Sequence, residues 1–427
     1  MATPKSSSGP RILADLSPLR EHAGFRSQWL GQVGSALARE TAKYAFPIHV
    51  YLESRSLALL GLVAALQLIA TIAFAVAGGT LSDLFDRRRV LIGAIATMGI
   101  ATIGLFALAV TGSESIPAIL LFGVLVTTLP LIEHPSRMGA VSRLVPHEKL
   151  GSAIALTTLN FQVMAIAGPA LGAVMFGVAG LAGAYAIQLA AFAWAVIATI
   201  RMPAIPAERR EPGSALAMIG ESVRFVGSRR IILSTFAVDL NAMILALPIG
   251  SLLPVLLLEA YDLSPQVVGF MLAARGVGAV AGAAMSGWIR SIRHLGRALL
   301  AVVGIYAVTT MLVGLSAGLF VLAIPLMAIA GATDVTSAIL RNTVIQTATP
   351  DGMRGRVTAI HMLSSNGGPR LGDIRAAVMA EALGPAGAIF WGGAAALGGC
   401  LAVARVFPAL VTHRSPSVQG AATSRVE

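Results

Sequence analysis

The sequence predicts an all-α polytopic membrane protein, with twelve transmembrane helices in two pseudo-symmetric six-helix bundles. Three observations carry that expectation. The 427 residues are 56% hydrophobic and only 12% charged, with mean hydropathy +0.80, about half the charge of an average soluble domain. Apolar runs of about 20 residues, the length that crosses a bilayer, recur along the chain. The basic residues fall almost entirely in alternate gaps between those runs.

The same figures exclude other classes. One cysteine, Cys400, can form neither an internal disulfide nor a thiolate metal site. Disordered chains are charge-rich and apolar-poor, the reverse of this one. The net charge of +11 invites a nucleic-acid reading, but a nucleic-acid binder does not carry this much apolar sequence.

The twelve stretches are 25–50, 57–82, 90–111, 116–138, 152–179 and 184–202, then 231–257, 266–288, 297–316, 319–340, 357–382 and 386–408. They are too long and too uniformly apolar for the ten-residue alternating strands of a barrel. Residues 1–24 form a polar leader without the apolar core of a cleaved signal. Residues 25–202 make the first bundle and 231–408 the second. The segment 203–230 between them opens Pro203-Ala204-Ile205-Pro206 and reads as an amphipathic helix near Ser214–Val226. The tail 409–427 is polar and expected to be disordered.

Orientation follows from charge. The side holding both termini carries 25 of the 31 basic residues, the opposite loops only Arg55. Both termini are therefore expected in the cytoplasm and the chain in the cell (inner, cytoplasmic) membrane. The remaining five, Arg39, Lys43, Arg275, Arg370 and Arg375, fall within the apolar stretches.

The halves resemble each other at an offset of 204 residues. Leu144-Val145-Pro146-His147-Glu148-Lys149-Leu150-Gly151 precedes the fifth stretch, and Ala348-Thr349-Pro350-Asp351-Gly352-Met353-Arg354-Gly355 precedes the eleventh. The offset sets Gly168 opposite Gly372. Repeat-built transporters hold their substrate near the membrane midplane, between the repeats.

The loop after the second stretch reads Gly78-Gly79-Thr80-Leu81-Ser82-Asp83-Leu84-Phe85-Asp86-Arg87-Arg88-Arg89. A glycine, an aspartate four positions on and a basic cluster resemble the signature of the major facilitator superfamily. The usual second glycine is Asp86 here, a variant resembling the exporter branch that includes the enterobactin exporters and is related to multidrug efflux. Arg26-Ser27-Gln28-Trp29-Leu30-Gly31-Gln32, Arg354-Gly355-Arg356-Val357 and Gly367-Gly368-Pro369-Arg370-Leu371-Gly372-Asp373 resemble the same branch. Gly168-Pro169-Ala170-Leu171-Gly172 is similar to the core of the antiporter motif, with Met164 where a further glycine is expected. The resemblance covers nearly the whole chain. It implies the major facilitator fold, alternating access about a cavity lined by helices 1, 4, 7, 8, 10 and 11, and a conformational latch at Gly79, Asp83, Arg87 and Arg88. Physically, Gly79 permits close helix approach, and Asp83 is placed to accept from N–H groups at the start of a neighbouring helix. The alternative role for the arginines is only to hold the loop inside.

Ionisable residues at membrane depth cost at least about 2.5–3.5 kcal/mol each on insertion scales, so each needs a reason. Arg39 lies roughly 20 Å along its helix from Arg26. Glu40 and Lys43, three apart, share a face and can pair, whereas Arg39 points about 100° away, towards the central cavity. Asp239 and Asn241 lie on the seventh stretch, Arg275 on the eighth, Asp334 on the tenth, and Arg370, Asp373 and Arg375 on the eleventh. A buried carboxylate tends towards protonation unless a cation opposes it. Asp239 has no basic residue within four positions on its own helix, so it is the leading proton site; Glu40 and Asp373 have local cations and read equally well as fixed pairs. Interface pairing and snorkelling account for Glu133, His134 and Arg137. Arg39, Arg275 and Arg370 suit an anionic, carboxylate or catechol substrate, because guanidinium is a rigid donor fork. Trp29 and Trp288 read as interface anchors.

Gly314-Leu315-Ser316-Ala317-Gly318 has nucleophile-elbow spacing but no strand–turn–helix context, and no metalloprotease or phosphate-loop motif occurs. No enzyme, cofactor or metal is expected. The reading is a monomeric secondary transporter driven by the proton-motive force, exporting a small organic molecule such as a siderophore. A multidrug efflux pump for hydrophobic compounds and a facilitator or importer are the alternatives.

Overall fold

The computed structural model describes residues 15–206, 220, 224–246, 248, 252–285 and 292–413, excluding the side chains at 75, 76, 79, 83, 351, 352, 354–356, 359 and 362. Among the described residues the regular structure is helical throughout. The short α1 (Ser17–Glu21) leads into α2 (Ala23–Ser54), α3 (Leu57–Leu84), α4 (Arg87–Thr111), α5 (Ile116–Thr128), α6 (Pro130–Leu144) and α7 (Leu150–Ile200). The second half holds α8 (Arg230–Leu245), α9 (Leu253–Tyr261), α10 (Pro265–Ala284), α11 (Leu295–Leu315), α12 (Phe320–Ala348), α13 (Asp351–Val406) and α14 (Pro408–Thr412).

Local chemistry sets these limits. Ser56 caps α3, its Oγ accepting from the Leu59 N–H at 3.2 Å, and Asp86 caps α4, accepting from the Arg89 N–H at 3.0 Å; each satisfies an orphan donor of a first turn. The aspartate that replaces the usual glycine of the loop signature thus starts a helix. Gly112 closes α4 with φ 65°, the left-handed conformation common after helices. Pro130 follows the bend at Leu129 that separates α5 from α6.

Two helices are too long to cross a bilayer once. At 1.5 Å per residue, α7 would run about 77 Å and α13 about 84 Å if straight, against a core of about 30 Å. Both break: α7 at Ala179 (φ −144°) and Gly180 (φ 59°, ψ −149°), α13 at Gly384 (φ 73°). These are backbone conformations that glycine adopts at least cost. Gly180 and Gly384 each fall in a gap between predicted stretches, and Ala179 is the last residue of one.

Among the described residues, eight helices are long and apolar enough to span a membrane. α2 is not among them, since Arg39, Glu40 and Lys43 interrupt it. The seventh stretch, expected as one helix, is instead α8 and α9 with 246–252 between them; Pro248, which cannot donate to the helix ladder, stands in that gap. The tail expected to be disordered from 409 begins with α14, which seats Leu410 fully buried. The predicted helix at Ser214–Val226 and the anchor Trp288 lie largely or wholly outside the described residues.

The largest core runs through both halves, with Tyr44, Tyr185, Phe46 and Phe192 fully buried. Outward-facing Ile69, Ile100, Trp194 and Val378 remain more than half exposed, as expected of a surface solvated by lipid tails. The two halves meet near the end opposite the arginine-rich loops. There the Tyr44 hydroxyl donates to the Pro265 carbonyl at 2.7 Å, and Glu381 Oε1 accepts from the Ala58 N–H at 2.9 Å.

Candidate functional site

The ionisable residues inside the helices gather into pairs and clusters. In the first half Glu133, on α6, is completely buried. Its carboxylate accepts from Ser35 Oγ at 2.8 Å, from Arg137 Nε at 2.9 Å and from Arg137 Nη2. Arg39 Nη1 stands 3.6 Å from its other oxygen. Arg137 also donates to the Gln28 carbonyl at 3.2 Å. One carboxylate is therefore set between two guanidiniums, a net charge of +1.

One expectation is corrected here. Glu133 is the centre of a buried ion cluster, not a snorkelling residue at the interface. Arg39 turns to that cluster, because the same 100° step that separates it from Glu40 aims it at α6.

In the second half Asp239, on α8, is also buried. Its Oδ1 lies 3.0 Å from Arg341 Nη1 on α12, and its Oδ2 lies 3.2 Å from His361 Nε2 on α13. Arg341 Nη1 donates to Ser337 Oγ at 3.2 Å, and Phe236 packs edge-on to the His361 ring at 5.6 Å. Asp239 has no basic residue within four positions on its own helix, but two other helices supply partners.

The remaining charges pair more simply. Lys43 Nζ donates to Glu40 Oε1 at 2.7 Å and lies 5.9 Å from the Phe161 ring centroid. The Lys43 side chain is 53% exposed on a stretch of α2 otherwise buried, so its ammonium opens onto accessible space. Arg275 Nη2 donates to Asp334 Oδ2 at 2.7 Å, joining α10 to α12. Arg370 and Asp373 stand 4.0 Å apart, and Arg375 donates to the Ala246 carbonyl at 3.1 Å.

The antiporter-like glycines are contact points. A methyl group at Gly168 would overlap Glu40, whose neighbour Thr41 donates through Oγ1 to the Gly168 carbonyl at 3.1 Å. Gly172 faces Tyr44 and Thr41, and beside them Gly269 of α10 meets the Pro169 carbonyl. Gly372 is the counterpart in the second half, seated on the Met243 carbonyl and on Ile244. Glu40 and Ile244 are themselves 204 positions apart.

Of the latch motif, the Gly79 and Asp83 side chains lie outside the described residues. Arg87 packs on Gly139, its N–H donating to the Ile205 carbonyl at 3.0 Å, and Arg88 Nη2 donates to the Ile200 carbonyl at 2.5 Å. The neighbouring Gly78 sits against Leu131 and Ile132. Trp29 donates to the Leu156 carbonyl at 3.1 Å, tying α2 to α7. Gly314 and Leu315 end α11 and 316–318 form a turn, with Gly318 at φ 84° and Ser316 hydrogen-bonded to Tyr261 at 2.8 Å.

Sequence reading did not single out Ser35, Ser337, Arg341 or His361. One signal was present: the 204-residue offset carries Ser35 onto Asp239, Glu133 onto Ser337 and Arg137 onto Arg341. The carboxylate and the hydroxyl have exchanged helices while the arginine has kept its place.

The model of the transmembrane secretion effector family matches residues 13–418. The enterobactin exporter EntS of Shigella boydii serotype 4 (strain Sb227) is 26% identical over 366 residues, covering 84% of this chain and 86% of that one. EntS of Escherichia coli O1:K1 / APEC is 27% identical over 361 residues, with the same coverage. Among solved structures, a POT family transporter in complex with 5-aminolevulinic acid superposes with TM-score 0.71 at 11% identity, over 91% of this chain and 97% of that one. A bacterial homologue of the iron transporter ferroportin, in an inward-facing state, gives 0.67 at 14%, over 91% and 98%. At such identities the solved structures speak for the fold alone. Matched over nearly its whole length, the chain belongs to the transmembrane secretion effector family, whose members are membrane transporters of the major facilitator superfamily and not enzymes.

Proposed function

We propose that the protein is a proton-driven exporter of a small anionic organic molecule, a catechol siderophore such as enterobactin in the first instance. The observation that carries the reading is the pair of buried carboxylate–arginine clusters, one in each half. Ionisable groups at membrane depth are costly and mark ion and substrate pathways. Here they lie on helices of both halves, with Arg275–Asp334 and Glu40–Lys43 near the surfaces where the halves meet. Five basic residues within the spans favour an anion. The named relatives, enterobactin exporters, support the substrate class and the direction.

Twelve spans follow if α5 with α6 and α8 with α9 each make one and the broken α7 and α13 each make two. Six fall in residues 25–202 and six in 231–408, related by the 204-residue offset. The matching seats of Gly168 and Gly372 support that relation, and with it alternating access by rocking of one bundle on the other. Tyr44–Pro265 and Ala58–Glu381 would be outer-side contacts that part when the cavity opens outward, with Gly79, Asp83, Arg87 and Arg88 latching the inner side. Basic loops and both termini lie in the cytoplasm, in the inner membrane of the cell, by the positive-inside rule. The protein works as a monomer without a resident cofactor.

The test is deletion of the gene in its host, with siderophore measured inside and outside the cell. Intracellular accumulation with a fall outside is expected. Unchanged siderophore with greater sensitivity to hydrophobic drugs would replace this reading by multidrug efflux.

A further inference from the structure

The two clusters use the same parts up to one position. Each carboxylate is buried, 0% exposed for Glu133 and 1% for Asp239. Each has an arginine, Arg137 or Arg341, with a serine four residues before the arginine or across from it. Each also has one outer partner with some access, Arg39 at 16% and His361 at 12%. These outer partners are not related by the repeat, since the offset sets Met243 opposite Arg39 and Thr157 opposite His361. They occupy equivalent chemical places from different helices.

We infer that the exchangeable proton of the second-half cluster resides on His361, with Asp239 as its fixed counter-ion, and that the Glu133 cluster is the non-titrating counterpart. The inference rests on the proton-coupled reading above and assigns the atom that carries the proton. Arg341, a guanidinium that does not release its proton in proteins, lies against Asp239 Oδ1 and neutralises it. Imidazole changes charge in the physiological range. Nε2 lies 3.2 Å from a carboxylate oxygen without hydrogen-bond geometry between them; because that oxygen can only accept, a neutral ring avoids lone-pair repulsion by carrying its hydrogen on Nε2. The incoming proton therefore takes the Nδ1 lone pair. Nε2 itself has no accessible surface, so the exposed part of the side chain lies elsewhere on the ring. Protonation moves the cluster from net zero to +1, the charge of Glu133, Arg137 and Arg39 with the carboxylate ionised.

Other charged groups around the ring are few among the described residues. α8 contributes Asp239 and, at its start, Arg230; α12 contributes Arg341 and, about two turns further in, Asp334. On α13 itself Arg356 and Arg354 stand five and seven positions before His361, their side chains outside the described set, and Arg370 and Asp373 nine and twelve positions on. The one ionisable residue of α3 is Asp83, at its end, whose side chain is outside the described set. α11 contributes Arg297 at its start and Tyr306, beside Arg275.

The test is histidine NMR of the full chain in detergent, with His361→Gln assigning the resonance among the seven histidines and His361→Asn as a second assignment if that variant does not fold. Infrared difference spectra of wild type and Asp239→Asn accompany it. The His361 resonance is expected to titrate between about pH 5 and 8, with no protonated-carboxyl band assignable to Asp239 across that range. A ring that keeps one charge state throughout, or a protonated-carboxyl band that disappears in Asp239→Asn, overturns the assignment. These spectra need no substrate. A separate assay, lumenal pH in proteoliposomes during downhill enterobactin movement, tests the coupled reading. Loss of that signal in His361→Gln is expected; a wild-type signal in that variant overturns the assignment, and no signal in wild type removes the coupled reading instead.

Discussion

Glu133 in the first half and Asp239 in the second are each held by an arginine at the same repeat position. The second cation around Glu133 is Arg39, whereas around Asp239 it is His361. A carboxylate between two arginines is favoured in its ionised form by both neighbours, so that cluster is the fixed one in the proposed assignment. A buried carboxylate between an arginine and a histidine has two states that differ by one proton. The contrast separates a structural anchor from a working part inside one fold. On the proposed assignment, burial and charge alone do not mark a proton site, and the identity of the second partner does.

The largest effect expected from breaking this comparison is on stability. Glu133→Gln strands two arginines without a buried anion, and breaking such a pair costs about 3–5 kcal/mol. Asp239→Asn strands Arg341 alone, because His361 can shed its charge, so its loss is smaller. Thermal unfolding of both variants in detergent checks the order, and equal losses would erase the distinction.

The exchange of carboxylate and hydroxyl between helices gives a sharper test. Ser35→Asp with Glu133→Ser rebuilds the first cluster in the pattern of the second. Each single change is expected to destabilise, and the pair to recover about 0.5–3 kcal/mol through coupling. Additive losses in the double-mutant cycle would show that the serine and carboxylate places are not interchangeable.

A smaller and more symmetrical pair of effects is expected at the helix contacts. Gly168→Ala forces a methyl into Glu40, and Gly372→Ala forces one onto the Met243 carbonyl. Overpacking of this kind costs about 1–3 kcal/mol. Similar losses, read by unfolding and by transport, would support the repeat; a neutral Gly372→Ala would weaken it.

The smallest effect lies outside the spans. The Ser17 backbone N–H and hydroxyl donate to Asp15, and Ser152 Oγ also donates to it, across the chain at 3.1 Å. The first two bonds hold its carboxyl below the ordinary aspartate value. A depressed folded value means that this contribution is whole above the ordinary value and is lost as pH falls through the lower one. Amide exchange at 17–21, corrected for its intrinsic pH dependence, is expected to rise only in that acid range.

What could be read in advance follows from range. The spans, their breaks and the basic end are encoded by runs of residues and by spacing, and Glu40–Lys43 and Arg370–Asp373 are encoded by a three-residue step on one helix. Arg39–Glu133, Arg275–Asp334 and the partners of Asp239 join residues 59 to 122 positions apart. Such pairs depend on which helix faces which, and local periodicity carries none of that. His361 was hidden twice, since it belongs to no motif and its partner lies on another helix. The seventh stretch differs for another reason: apolar content continues past Leu245, where α8 ends, so hydropathy carries no mark of that end.

The central claim is that a titrating second cation distinguishes the working cluster from the fixed one. His361→Arg converts the second cluster into the chemistry of the first, a carboxylate between two arginines, which this fold already holds around Glu133. Enterobactin accumulation by inside-out vesicles under an imposed pH gradient measures the consequence directly. The account predicts a folded, membrane-inserted variant whose gradient-driven accumulation is lost. Accumulation by His361→Arg with the gradient dependence of the wild type would contradict it.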